Sequence, residues 1–479
     1  MLYKELIIKH LNENRIVLND TKRDYRYSDL HNMALKVAEK IREYGAGEWQ
    51  RVLIINRNTV YTVAAILACI HERLCFIIVP QESNESQISY ILDDAEPCLI
   101  IDTRNEFLEG MERAGKIAKN VPIERIIYII YTSGSTGKPK GVIAPERQVL
   151  FCIQAINEYL KNDSEDRILC LLPLSFDYGL YQLFFALFFE AVLILPQDYL
   201  IQEIPRLLKE YAITGFPSMP AVLNLLLKTG YLKRVELTKL RYITSTGDWF
   251  PVALINKLME TLPNVDILPM YGQTECKRVS VMPMGNKEKV LAGSCGLPLK
   301  GINVWLDEPD EMGVGELIVS GPNVMAGYLN ADDASSQYYF NHPKYGKSLR
   351  TGDLFRIDNE GFLYFYNRKR RIIKVKGVRV GSLEVENIFA EKLKIPFNEL
   401  RVLGMPDEYC GEIILLIISS AFNEEEIITD VRRVSQELPN YQRPKKILIM
   451  KMPFPLKENG KVDGDSLMRK AMKNGTVSI

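Results

Sequence analysis

Apolar and amphipathic stretches alternate along the first third of the chain. A short extended piece through Tyr25 ends in a helix N-cap, and a helix follows with Leu30, Met33, Val37 and Ile41 on one face. Residues 51–56, 74–80 and 98–102 are short runs with few polar positions, the pattern of strands buried on both faces. Between them, residues 62–70 and 88–94 carry helical spacing. Residues 125–131, 168–172, 191–195 and 241–246 continue the series of strands. Strands alternating with helices in this way predict a parallel sheet with helices on both sides.

The texture changes near residue 290. Gly-led strands at 301–306, 315–320 and 361–366 predict antiparallel pairing, as in a small barrel. A basic stretch follows (Arg368, Lys369, Arg370, Arg371, Lys374), and the remaining hundred or so residues alternate helix and strand. The expected fold class is α/β plus α+β. A large N-terminal domain over 1–367 would hold doubly wound sheets and a barrel-like part from about 290. A hinge would cover 368–371, and a small mobile α+β domain 372–479.

A chain of 479 residues exceeds one ordinary core, in keeping with that division. Lys+Arg and Asp+Glu are both 60, and this neutral balance gives no support for nucleic-acid binding. Eight cysteines lie scattered without a CxxC pair beside only four histidines, so neither a zinc site nor a disulfide framework is expected. The N-terminus lacks a signal-peptide core, and the most apolar region, 168–196, is interrupted by Asp177 and Glu190. No membrane span is expected, and a cytoplasmic location is.

Chemistry concentrates first at residues 131–142. There Thr132, Ser133, Ser135 and Thr136 supply hydroxyls, Gly134 and Gly137 flexibility, and Lys138 and Lys140 charge, directly after an apolar strand. Backbone N–H groups, hydroxyls and lysines together make a cradle for polyphosphate. The spacing is not that of the Walker loop, because Gly134 and Gly137 are three apart and Pro139 follows Lys138. Three later stretches are Met270-Tyr-Gly-Gln-Thr-Glu275, Thr351-Gly-Asp353 and Asn459-Gly-Lys461; alone, the first reads as a turn with a solvated Glu and the last as an exposed lysine in a Gly turn.

In register, the four resemble the motifs of the AMP-forming adenylating enzymes: acyl- and aryl-CoA ligases, adenylation domains of peptide synthetases, and luciferase. The resemblance spans essentially the whole chain. It implies that Thr132 to Lys138 and Lys140 hold the phosphates of ATP, that Tyr271 stacks on adenine with Gly272 also at the nucleotide, and that Thr274 meets the α-phosphate. Glu275 would take Mg²⁺, a hard cation suited to a carboxylate plus phosphate oxygens. Asp353 and Arg368 would hold the ribose, and Lys461 would bridge substrate carboxylate and α-phosphate. Residues 374–377, Lys374 to Gly377, would guide a phosphopantetheine thiol. The chain departs from the family at Asn367, at Arg370 in the hinge, and at Glu146, where many relatives carry His near the substrate mouth.

The implied activity is formation of an acyl-adenylate, then transfer to a phosphopantetheine thiol on a separate carrier protein. Free coenzyme A as acceptor is the alternative, and a non-catalytic nucleotide-binding homologue a third. Asp177, after Phe176, would anchor an amino-acid ammonium or else N-cap the helix it begins. Thr246, Gly247 and Met270 would form other pocket walls. Lys277 and Arg278 are expected to face solvent, with a second substrate anion as the alternative.

Overall fold

A computed structural model describes residues 1–479 except 105–109, 115–123, 133–138, 249, 331–337, 370–371, 376–377, 408–410, 420–423, 452, 457–461, 475 and 479. The chain forms two compact units, Met1–Val304 with Ile318–Arg350, and Trp305–Leu317 with Thr351–Ile479.

The first unit contains two large sheets. In one, strands Ile126–Thr132, Cys75–Pro80, Arg51–Asn56 and Leu99–Asp102 lie side by side and parallel. Their side chains are buried along nearly the whole run, and Leu53, Ile77, Ile100 and Ile129 meet in one cluster. Each such aliphatic side chain taken from water contributes roughly 1.5–3 kcal/mol, which is why these runs carry so few polar residues. In the other sheet, strands Asp266–Tyr271, Tyr242–Ser245, Gly215–Pro217, Arg167–Leu169 and Val192–Ile194 are consecutive and parallel. Helix Asp177–Phe189 is buried on all sides through Leu187, so the most apolar region of the sequence is core. No helix among the described residues is long and apolar enough to cross a membrane.

The parallel expectation holds for the sheet interiors, while their edges are antiparallel. Strand Lys140–Pro145 returns directly along Ile126–Thr132, pairing Thr132 with Lys140. Ser280–Val281 returns along Asp266–Tyr271. The physical reason is connection length: a few residues suffice for a hairpin, whereas a parallel return needs a crossover.

In the second unit, a six-stranded sheet includes Leu400–Asp407 paired along Gly411–Ser419, with Lys446–Met450 parallel beside it. Val385, Phe389, Val431 and Val434 from two helices pack on its apolar face. Strands Ile372–Val375 and Val378–Gly381 form a hairpin in the same sheet. Among the described residues, the seven cysteines are free thiols.

Candidate active site

Hairpin geometry places the first two motifs. Ser133 to Lys138 lie outside the described residues, but Thr132 and Lys140 flank them as a paired position at the hairpin mouth. The Lys140 ammonium sits over the Tyr328 ring at 5.2 Å and the Tyr338 ring at 5.8 Å. The Tyr328 hydroxyl donates to Glu275 Oε1 at 2.8 Å. Burial, reinforced by the Glu275 charge, pushes the Tyr328 hydroxyl far above its ordinary pKa, so it remains a donor. Tyr328 therefore joins the phosphate-loop hairpin to the Glu275 turn, a link no spacing in the sequence announces.

The Glu275 turn is itself a hairpin tip. Val279 N–H donates to Tyr271 C=O, and Cys276 N–H to Gln273 C=O. Gly272 is tightly enclosed there, since a Cβ on it would lie 2.2 Å from the Lys277 carbonyl oxygen. Gly272→Ala must displace this backbone, at a cost of roughly 1–3 kcal/mol. Its melting temperature should fall and its nucleotide affinity weaken together; an unchanged melt with unchanged affinity would contradict the enclosed turn. Thr274 and Glu275 offer hydroxyl and carboxylate oxygens from adjacent positions, a hard donor pair that suits Mg²⁺ together with phosphate.

The remaining pocket candidates lie after the carboxyl ends of four adjacent parallel strands, where open α/β sheets bind ligands. Phe176 and Asp177 follow Arg167–Leu169, Met219 follows Gly215–Pro217, Thr246 and Gly247 follow Tyr242–Ser245, and the Glu275 turn follows Asp266–Tyr271. Gly247, at φ +89°, faces Met219 and Phe176, each within 4 Å of where its Cβ would be. Met270 is buried in its strand opposite Val281. The Tyr178 hydroxyl and Thr244 Oγ1 are hydrogen-bonded at 2.6 Å, clasping the helix start to the strand end.

Asp177 occupies the first turn of its helix, with Phe176 at the N-cap and no side-chain capping bond. Its carboxylate instead pairs with Lys277, Nζ to Oδ2 at 3.3 Å, and the same ammonium donates to the Asp177 carbonyl at 2.8 Å. Tyr181, one turn along the same helix face, lies under that ammonium at 4.1 Å. Lys277 and Arg278 are only 2% and 3% exposed, which overturns the expectation that they face solvent. The reason is the counter-charge: Asp177, distant in sequence, comes to the buried lysine. Burial pushes Lys277 down to about 8, with Asp177 acting in the opposite direction. Lys277 also holds φ +53°, a left-handed backbone that side chains rarely adopt. Arg278 Nη1 donates to Thr246 Oγ1 at 2.5 Å, and its guanidinium lies over Tyr178 at 5.5 Å. Asn323 fixes this segment by donating to the Cys276 and Arg278 carbonyls at 3.2 and 2.9 Å.

Glu146 is taken up by Arg125 at 3.1 Å and by the Leu2 backbone N–H. In the second unit, Asp353 and Arg368 are directly opposite across a hairpin and form an ion pair at 3.2 Å. The Asp353 carboxylate is buried whereas Arg368 is largely exposed. Lys369 pairs with Glu316 at 2.9 Å, so part of the basic stretch is neutralised. The Lys374 backbone lies in strand Ile372–Val375, while Gly377, Arg370 and Lys461 lie outside the described residues.

A model of the family described as AMP-binding enzyme matches residues 9–329. Tyrocidine synthase 3 of Brevibacillus parabrevis is 25% identical over 99% of this chain, which spans only 8% of that protein's length. The L-proline–[L-prolyl-carrier protein] ligase of Pseudomonas fluorescens is 26% identical, covering 90% of this chain and 92% of the ligase. The fold is shared with o-succinylbenzoate CoA synthetase of Bacillus subtilis, solved with its acyl-adenylate, at TM-score 0.83 and 23% identity over 100% of this chain and 98% of that one. A family match over two thirds of the sequence establishes that this chain belongs to the AMP-binding enzyme family.

Proposed function

We propose that this protein activates a carboxylic acid with ATP, releasing pyrophosphate, and passes the acyl group from its adenylate to a phosphopantetheine thiol. The observation that carries this reading is the joining of Lys140, Tyr328 and Glu275 beside the phosphate-loop hairpin. A cation and a carboxylate are thus held within one aromatic clasp next to a loop of hydroxyls and glycines. Bound Mg²⁺ would neutralise phosphate charge. Glu275 would hold it, and Thr274 would orient the α-phosphate. Asp353, with Arg368 beside it, would accept from the ribose hydroxyls. Lys461 would offset the charge that develops as the carboxylate attacks phosphorus. Movement about 368–371 would then exchange Lys461 for residues 374–377 between the two half-reactions.

The acyl acceptor in this reading is a separate carrier protein, and the acid an amino acid anchored at Asp177, supported by the likeness to the L-prolyl-carrier protein ligase. A second reading, an acyl-CoA ligase for an acid without an amino group, draws on a specific observation. Lys277 already pairs with Asp177, which leaves less of that carboxylate for a substrate ammonium. Either activity belongs in the cytoplasm, where ATP and both thiol acceptors are found. ATP–pyrophosphate exchange over amino, aryl and aliphatic acids tests adenylation, and its absence with every acid would overturn the proposal. Thioester formation on free coenzyme A would favour the second reading.

A further inference from the structure

Building on the adenylation reading, we propose that Arg278, oriented by Thr246, is an anion subsite that selects acids bearing a second negatively charged group besides the carboxylate that reacts. The charges around the Asp177 helix start are unequal. Two buried cations, Lys277 and Arg278, face one carboxylate. Lys277 is satisfied within the protein by the Asp177 carboxylate, the Asp177 carbonyl and the Tyr181 ring. Arg278 has less: the Tyr178 ring at 5.5 Å and the neutral Thr246 hydroxyl, with no ion pair among the described residues and a buried Nε without a partner.

A guanidinium keeps its proton in any protein environment, so it cannot escape burial by becoming neutral. With the one Asp177 carboxylate shared between two cations, the buried Arg278 charge is only partly compensated, and an arriving counter-charge would stabilise it further. The location indicates the source. Thr246 precedes Gly247 and Asp248, both exposed, so the guanidinium lies just inside the point where the strand end meets solvent. The pocket wall of Gly247, Met219 and Phe176 begins at that same point. A planar fork with a free Nε suits a carboxylate. The left-handed backbone at Lys277 sets the turn from which Arg278 enters the buried strand end. Lys277 is a positioning residue here, holding Asp177 while the next residue, Arg278, receives the ligand.

The test is ATP–pyrophosphate exchange with diacids, each beside its half-amide: aspartate with asparagine, glutamate with glutamine, succinate with succinamate, and phthalate with phthalamate. The wild-type chain is expected to prefer at least one diacid over its half-amide by roughly 10²-fold in kcat/KM, the scale of a hydrogen bond to a charged group. Arg278→Gln should reduce that preference to a few-fold while leaving the KM for ATP unchanged, and Arg278→Lys should restore part of it. Equal use of half-amides would overturn the subsite and leave adenylation standing. So would a variant in which only the KM for ATP rises, because the guanidinium would then serve a phosphate. Should no acid support exchange, calorimetric titration of the same diacids separates the two ideas. Binding that Arg278→Gln abolishes would retain the subsite without adenylation, and no binding would overturn both.

Discussion

Glu275→Gln is expected to lower ATP–pyrophosphate exchange by roughly 10²–10³-fold, with most of the loss in kcat. Glutamine keeps a carbonyl oxygen that can still accept from Tyr328, so the contact at 2.8 Å can survive the substitution. What disappears is the charge. A carboxylate that binds Mg²⁺ loses that capacity as an amide, and raising the Mg²⁺ concentration should recover part of the rate. If Glu275 served only to receive the Tyr328 hydroxyl, Glu275→Gln would turn over nearly as fast as wild type and show no altered Mg²⁺ dependence. Measuring kcat against Mg²⁺ concentration for both proteins separates the two roles.

Asp177→Ala should be the most destabilising of the substitutions considered, by about 3–5 kcal/mol near neutral pH, because it leaves the Lys277 ammonium buried without its carboxylate. The effect carries a pH signature. In the wild-type chain Lys277 is pushed down to about 8, below its ordinary 10.5. Between those values the unfolded chain binds a proton that the folded one has given up. Stability therefore rises with pH across that window, by at most about 1.4 kcal/mol per unit, and the gain is lost as pH falls toward 8. Without Asp177 the lysine should release its proton at still lower pH, so the rise begins earlier. The gap between variant and wild type should be widest in acid and narrow toward pH 8 and beyond. Denaturation midpoints taken from pH 6 to 10 measure it. A gap independent of pH would mean that Asp177 contributes packing rather than charge compensation.

Strands such as Arg51–Asn56 and Gly315–Ser320 were legible in the sequence because continuous apolar runs bounded by turns have few other readings. The Glu275 stretch reads as a turn in the sequence and is one in the fold, whereas Asp353 lies buried inside strand Gly346–Ile357, where pairing with Leu363–Arg368 decides its place. Lys277 and Arg278 were not legible. Adjacent basic residues after a glycine turn look like a solvated tip, and only the fold brings Asp177 and Thr246 beside them. One signal was present: the pair runs straight into the apolar Val279 and the buried strand Ser280–Val281, a poor place to strand two charges. Tyr328 carries no sequence signal for a similar reason, since its strand Gly327–Tyr328 is two residues long and is defined only by pairing with Lys140–Pro145.

The turn that closes over Gly272 carries Glu275 and Arg278 three residues apart, stapled at its far side by Asn323. Such a short span cannot flex at one end without the other. An acid that fails to seat against Arg278 should therefore also misalign the carboxylate at Glu275, and the error would surface as slow turnover rather than weak binding alone. Fidelity of this kind is kinetic: a wrong acid can enter and leave many times without consuming ATP. Redesign of the pocket by exchanging Arg278 alone would then broaden uptake more than it broadens catalysis, and recoding the whole 272–278 turn is the smallest change expected to carry both.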